Sequence, residues 1–447
     1  MSATPSLLSL LLAGTLIRTG LWFVYEPISH PDSATYFTAA AHIANGDFTG
    51  YEGRRTPGYP ALIALAGLSP SKVWVLQMLC GLAISTLLFY IGLSATGQPQ
   101  FAALIGMTYN LNLAQLFFEA NLLSETTSTL TIVGVVAALA AVHRRLQARR
   151  PISPGLLMLG ILGGVATLVR PQFLFLPVLL GALIAYASFA LARSRVWAAV
   201  ARACLVTAPG LLLVLGWASF NYARVGVFSL TTQLGVGLMA QSLPFIESAP
   251  DRYATIRDIY ITHRDAKLAA TGRQNAEWDA IPELLATTGL PFPALSKELE
   301  RMSIGLFLRH PFRYGMGVAK AWVDFWLVPN YWRLDRLSSS SLASALRWTW
   351  RLEHSIIRLF NAMFLLLFVV GLCSRELRQR IGWQFTLSSI AILILAASIV
   401  PALSFWGENA RYAIPVQSLV IVVVLIAGRG WLMARRGRSQ GADTVRA

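Results

Sequence analysis

The sequence predicts an all-α polytopic membrane protein, and three observations carry that prediction. Of 447 residues, 55% are hydrophobic and only 13% are charged, where an ordinary water-soluble domain carries about 25% charged residues. Apolar runs repeatedly reach the roughly 20 residues with which a helix crosses ~30 Å of hydrocarbon, and no ladder of short alternating segments suggests a β-barrel instead. Basic residues, finally, gather in the short connections between those runs: His143-Arg144-Arg145, Arg149-Arg150, Arg193 with Arg195, the segment 375–380, and Arg435-Arg436 with Arg438.

That last pattern also explains the net charge of +16. A basic chain invites a nucleic-acid reading, but positive charge confined to alternate connections is what the positive-inside rule expects of cytoplasmic loops. The expected surroundings are therefore a lipid bilayer, with no nucleic-acid partner. Cys80, Cys204 and Cys373 all fall in apolar runs, at spacings that fit neither a metal knuckle nor a disulfide framework.

The first span is expected over residues 6–25, without the basic leader and cleavage site of a secretory signal. It contains Arg18, which either snorkels to the interface or faces the bundle interior. Residues 26–60 form an external loop. Within it, apolar residues at Ala34, Phe37, Ala40, Ala41 and Ala44 recur at helical spacing and predict an interfacial helix over 33–44. The turn Pro57-Gly58-Tyr59-Pro60 leads into a second short helix over 61–68.

Further spans are expected over 73–93, 101–118, 123–142, 155–169, 173–191, 204–220, 356–373, 385–403 and 412–427, about ten in all. Residues 221–352 are mixed in polarity and read as a small external helical region, with helices over 297–308 and 314–327. Its Trp322, Phe325, Trp326, Tyr331 and Trp332 suit an interfacial aromatic belt. The chain thus divides into an N-terminal transmembrane module (1–220), the external region (221–352), and C-terminal helices with a basic tail (353–447).

With this topology, one side of the membrane collects most of the unusual residues. Asp32, Arg54-Arg55, Glu119, Ser124-Glu125, Arg170-Pro171, Asn221-Tyr222, His310-Pro311, Glu408 and Arg411-Tyr412 all sit at outer helix ends or in outer loops. Each has an ordinary alternative. Asp32 can cap a helix, Glu125 can complement a helix dipole, Arg170 and Arg411 can anchor at the interface, and His310 can be a solvated loop histidine without metal-ligand spacing. Together they describe acids able to deprotonate a hydroxyl and arginines whose planar fork holds phosphate.

Their order along the chain resembles a known pattern. An Asp in the first loop (Asp32), a basic pair before Pro57-Gly58-Tyr59-Pro60, Leu123-Ser124-Glu125, Arg170-Pro171, Asn221-Tyr222 and Arg411-Tyr412 with Pro415 are similar to motifs of the GT-C superfamily of polyprenyl-phosphate-sugar-dependent glycosyltransferases. The nearest likeness is to the aminoarabinose transferase and protein O-mannosyltransferase branch. It covers residues 6–240 and 354–430, with Ser33 standing where O-mannosyltransferases have a second acid.

The resemblance implies a GT-C-like bundle in a bacterial inner membrane, with an active site facing the periplasm. It implies inverting transfer of a sugar from a polyprenyl-phosphate-linked donor to a hydroxyl of a glycan, glycolipid or protein acceptor. On this chain, Asp32 becomes the general base, and Glu125 a second acid orienting the acceptor or a divalent metal ion, the one candidate cofactor. Arg54, Arg55, Arg170 and Arg411 become donor-phosphate ligands, and Tyr36, Tyr59, Asn221, Tyr222, His310 and Tyr412 line the substrate pocket. Two rivals stand beside it. An O-antigen-ligase-like polymer transferase would place its chemistry at Arg309, His310 and Arg313, and a lipid or solute transporter would line a pathway with intramembrane charge.

Overall fold

The computed structural model describes residues 3–446 apart from Ala192, Asn330, Ile381 and Gly382; the side chains of residues 191, 377, 380 and 436–446 are not described, so those of the basic positions Arg380, Arg436 and Arg438 lie outside the described residues. The regular structure of the described residues is all helical, with no strand and one isolated backbone bridge, Ile28 to Asn121.

The first module comprises α1 (Thr4–Val24), α2 (Pro31–Asn45), α3 (Gly58–Leu65), α4 (Pro70–Thr96), α5 (Pro99–Asn110), α6 (Leu113–Ala120), α7 (Glu125–Gln147), α8 (Ser153–Val169), α9 (Leu176–Tyr186) and α10 (Val196–Val225). Five helices follow: α11 (Leu234–Ser242), α12 (Ala254–Thr271), α13 (Ile281–Thr288), α14 (Phe292–Arg309) and α15 (Pro311–Phe325). The chain ends with α16 (Ser340–Cys373), α17 (Arg375–Arg380), α18 (Phe385–Ser404) and α19 (Ile414–Arg446).

Among the described residues, eight helices are long and apolar enough to cross a membrane, making this a multi-pass membrane protein; a bent pair raises the number to nine. The expected number of about ten is not reached by this measure, for two physical reasons. Helices α5 and α6 are bent by 54° at their junction. There Arg18 Nη1 donates to Asn110 Oδ1 at 2.9 Å, while Asn112 Oδ1 caps α6 by accepting from Gln115 N–H at 3.0 Å. Helix α8 has 17 residues and is shorter than a full span.

The large core packs α4, α5, α7, α8, α9, α18 and α19 through residues such as Ile84, Val136, Leu159, Leu180, Ile394 and Val423. The final span runs through its middle, 83% of its most apolar window being buried, against 17% for α1 at the rim. A second apolar core, with Met239, Phe245, Tyr260, Leu284, Leu295 and Leu306, holds α11 to α14 together.

Boundaries in the external region differ from expectation. Helix α16 starts at Ser340, sixteen residues before the apolar run at 356, because Ser339 Oγ caps it by accepting from Leu342 N–H at 3.4 Å. Its first half is amphipathic, so hydropathy alone locates only the second half. Arg18 faces inward. At 2% exposure it forms a two-pronged ion pair with Glu119, with Nη2 to Oε1 at 2.6 Å and Nε to Oε2 at 2.8 Å.

Candidate functional site

The site begins where the loop after α1 meets the start of α7. Ile28 N–H donates to Ala120 O, and Leu122 N–H donates back to Ile28 O, each at 2.9 Å. Helix α2 starts three residues later, with Pro31 in its first turn, where a missing N–H costs nothing. The N-cap position is held by His30, not Asp32: His30 N–H donates to Ser33 Oγ at 2.9 Å, and Ser33 Oγ donates to Leu122 O at 2.9 Å. These bonds place the first turn of α2 against the first turn of α7. Asp32 and Glu125, one in each turn, are brought to the same spot, where helix dipoles favour negative charge.

Arginines from three distant segments converge there. Arg55 Nη2 donates to Asp32 Oδ1 at 2.6 Å, and its Nε to Thr35 Oγ1 at 2.7 Å. Arg411 Nη1 donates to Asp32 Oδ2 at 2.7 Å, and its Nε donates to Glu125 Oε1. Arg170 Nη1 lies 3.2 Å from the same Glu125 oxygen. Glu408 completes the group at 3.8 Å from Arg411 Nη1 and accepts from Tyr331 Oη at 2.6 Å. Three carboxylates thus balance three guanidiniums.

Aromatic faces wall this cluster. The Arg55 guanidinium lies 4.2 Å from the Tyr36 ring centre, Arg170 lies 5.1 Å from that of Tyr412, and Arg411 lies 5.6 Å from that of Tyr331. Tyr36 packs edge-on against Tyr59 at 4.9 Å, and its hydroxyl pairs with Ser124 Oγ at 3.1 Å. Burial works to raise the Asp32 pKa, but the charges of Arg55 and Arg411 outweigh it and hold the carboxyl well below the usual carboxylate range. Buried polar atoms at the centre carry no hydrogen bond among the described residues, including Glu125 Oε2 and Tyr59 Oη. Such atoms are costly unless a ligand or water meets them.

Two hollows lie on the same module, the first of them at the cluster. One, of about 210 Å³, lies between α2 and the loop before α3, lined by Thr35, Thr38, His42, Tyr51, Glu52 and Arg55. The other, of about 490 Å³, is an almost wholly apolar groove along α3, α4 and α7, lined by Leu62, Leu65, Leu76, Leu79, Ala83 and Leu130.

Not every expected residue joins the cluster. Arg54 turns away: its guanidinium lies 4.2 Å from the Phe292 ring centre and 5.7 Å from that of Trp278, and it pairs loosely with Glu52 at 3.5 Å. Asn221 is fully buried and structural. It accepts from Tyr51 Oη at 2.9 Å and donates to Ser229 O and Leu230 O, locking the first loop to the turn after α10. Tyr222 on the same helix is 62% exposed. His310 sits at the α14–α15 junction, edge-on to Phe245 at 6.0 Å, and no described hydrogen bond or ion pair joins it to Asp32 or its partners. Tyr331, one of the residues of the expected interfacial belt, contacts Glu408 and Arg411. No local pattern distinguishes it from its aromatic neighbours in sequence.

The donor set does not suit a metal ion. The carboxylates are already met by arginines, and among the described residues no group of three or more His, Cys, Asp or Glu is arranged to hold one. No protein family, curated protein or solved structure compared with this chain matches it.

Proposed function

We propose that the chain is a membrane glycosyltransferase of the GT-C type, moving a sugar from a polyprenyl-phosphate-linked donor to an acceptor hydroxyl. The observation that carries the reading is Asp32, held between Arg55 and Arg411 at 2.6 and 2.7 Å. An acid and two guanidinium forks, of the kind that suits phosphate, thus meet at one point, and the apolar groove along α3, α4 and α7 would suit a long lipid tail. The proposed location is a bacterial inner membrane, with the cluster on the side opposite the Arg-rich connections.

In the resting state the arginines compensate Asp32, which makes it a weak base. A donor phosphodiester would compete for Arg55 and Arg411, and a carboxylate losing cationic partners regains proton affinity. Asp32 would then take the acceptor hydroxyl proton as the acceptor oxygen bonds to the anomeric carbon. The bond from that carbon to the phosphate oxygen breaks with its electron pair, and the configuration inverts. Charge gathers on the departing polyprenyl phosphate, where fixed cations stabilise the transition state most. Glu125, tied to Arg411 and Arg170, orients those cations.

The test is sugar release from radiolabelled polyprenyl-phosphate sugars by the purified protein in vesicles, comparing wild type with Asp32→Asn and His310→Ala. Loss with the first and retention with the second supports the proposal. The opposite result supports the ligase-like rival, and lipid flipping without any sugar transfer supports a transporter. The geometry favours neither rival: His310 lies outside the cluster, and the Arg18–Glu119 pair is sealed inside the bundle with side chains 3% and 2% exposed.

A further inference from the structure

The loop between α12 and α13 carries polar groups that nothing in the cluster uses. Glu277 is 2% exposed, and its Oε2 has no hydrogen-bond partner among the described residues. Two residues earlier, Asn275 Oδ1 is also buried and unmatched. The rest of this turn is well satisfied: Tyr260 Oη donates to Glu277 O at 3.2 Å, and Lys267 Nζ donates to Asn275 O at 2.8 Å and pairs with Asp279 at 2.7 Å. Two side-chain acceptors are therefore left over in a turn whose backbone is already fixed. Buried acceptors of this kind call for donors.

The turn also reaches Arg54 on one side and the Asp32 cluster on the other. On one side Trp278, 37% exposed, lies nearly parallel to Phe292 at 6.5 Å and beside the Arg54 guanidinium at 5.7 Å. On the other, Asn275 packs on Gly407, where a β-carbon would come within 3.5 Å of the Asn275 Cβ; its φ of +136° favours glycine in any case. The next residue, Glu408, is the carboxylate held by Tyr331 and Arg411. Burial chiefly, with the charges of Glu408 and Asp279 adding, raises the Glu277 pKa to about 7.

We infer that Asn275, Glu277 and Trp278 form a sugar-binding subsite, in which the two unmatched oxygens accept from ring hydroxyls and the indole covers the apolar face of the ring. An indole supplies a rigid flat surface, and a pair of buried acceptors discriminates sharply against a ligand lacking the matching donors. This deepens the glycosyl-transfer reading, because the subsite lies between Arg54 and Glu408 at the edge of the proposed phosphate clamp.

The experiment uses the full chain in nanodiscs and saturation-transfer NMR with methyl glycosides of neutral and amino pentoses and hexoses. At least one glycoside is expected to bind wild type, and Glu277→Met and Asn275→Ala each to weaken it about tenfold or more, the equivalent of ~1.4 kcal/mol. Glu277→Met keeps the side-chain length and removes both oxygens, so its thermal stability is expected to hold or rise, which separates lost binding from lost fold. If no glycoside binds wild type, or both variants bind as wild type does, the inference is overturned.

Bare polyprenyl phosphate serves as the second probe. If wild type binds glycosides but not this lipid, the transfer reading fails and the subsite stands; if it binds the lipid and glycosides ignore Glu277→Met, the reverse holds. With polyprenyl-phosphate-linked sugar, weakening by Glu277→Met to the level of bare lipid assigns the subsite to the donor sugar. No weakening there, with weakened glycoside binding, assigns it to the acceptor.

Discussion

Arg411 Nη1 donates to Asp32 Oδ2 at 2.7 Å across 379 positions of sequence, fastening the first loop to the head of the final span. Because the same guanidinium also donates to Glu125 and lies 3.8 Å from Glu408, it is the one residue among those described that meets all three carboxylates of the cluster. In the proposed reaction this bond must loosen before Asp32 can act as a base.

Asp32→Asn is therefore expected to lower transfer by about 10²- to 10⁴-fold, the usual worth of a general base. Polyprenyl phosphate should bind at least as tightly as to wild type, since the variant removes the anion that competes for Arg55 and Arg411. Weaker lipid binding, measured by nanodisc titration, would contradict the competition argument.

Removing Arg411 leaves Glu125 buried with Arg170 as its remaining cation. Arg411→Met is expected to cost about 3–5 kcal/mol of stability, the range for breaking a buried pair from one side. Arg411→Lys should recover little of it, because an ammonium cannot present the fork that reaches two carboxylates at once. Thermal unfolding in a single detergent compares the three proteins.

The Arg18–Glu119 pair offers a cleaner test of buried charge, since it lies away from the proposed chemistry. Arg18→Met or Glu119→Met alone should destabilise by about 3–5 kcal/mol, while the double variant recovers most of the loss. Gly81→Ala should also destabilise, by about 1–3 kcal/mol, because its Cβ would fall 2.0 Å from Glu119 Oε1 and 2.4 Å from Arg18 Nη2. A double variant no more stable than either single would contradict the pairing.

Asp32 and Glu277 give opposite pH dependences. The Asp32 pKa is depressed in the fold, so its stabilisation is present above the ordinary carboxylate pKa of about 4 and is lost as pH falls further. Glu277 is raised to about 7, so folding favours its neutral form. The resulting penalty is absent below an unfolded pKa of about 4.3 and grows until pH passes the folded value. Glu277→Gln should accordingly be more stable than wild type at pH 8 and lose that advantage by pH 4. Melting temperatures of both proteins across this range decide it.

The sequence by itself determined the membrane architecture, because a helix crossing lipid must be long and apolar over its own length, a property written locally. It likewise indicated both loop helices: the 3-and-4 spacing around Phe37 matches α2, while the second, expected over 61–68 after a turn, starts three residues earlier, so that Gly58-Tyr59-Pro60 forms the first turn of α3 and the helix ends at Leu65. It could also nominate Asp32, Arg55, Glu125, Arg170 and Arg411, since charged residues at the ends of apolar runs stand out. Only the tertiary structure decided how these residues pair, sending Arg411 to both acids and Arg54 to Phe292 and Trp278. It also turned Arg18 inward, broke one span at Asn110 and Asn112, and set Tyr331 and Glu277 beside the cluster. Those outcomes depend on how the ends of helices far apart in sequence stack on one another, and no periodicity along a single helix records that.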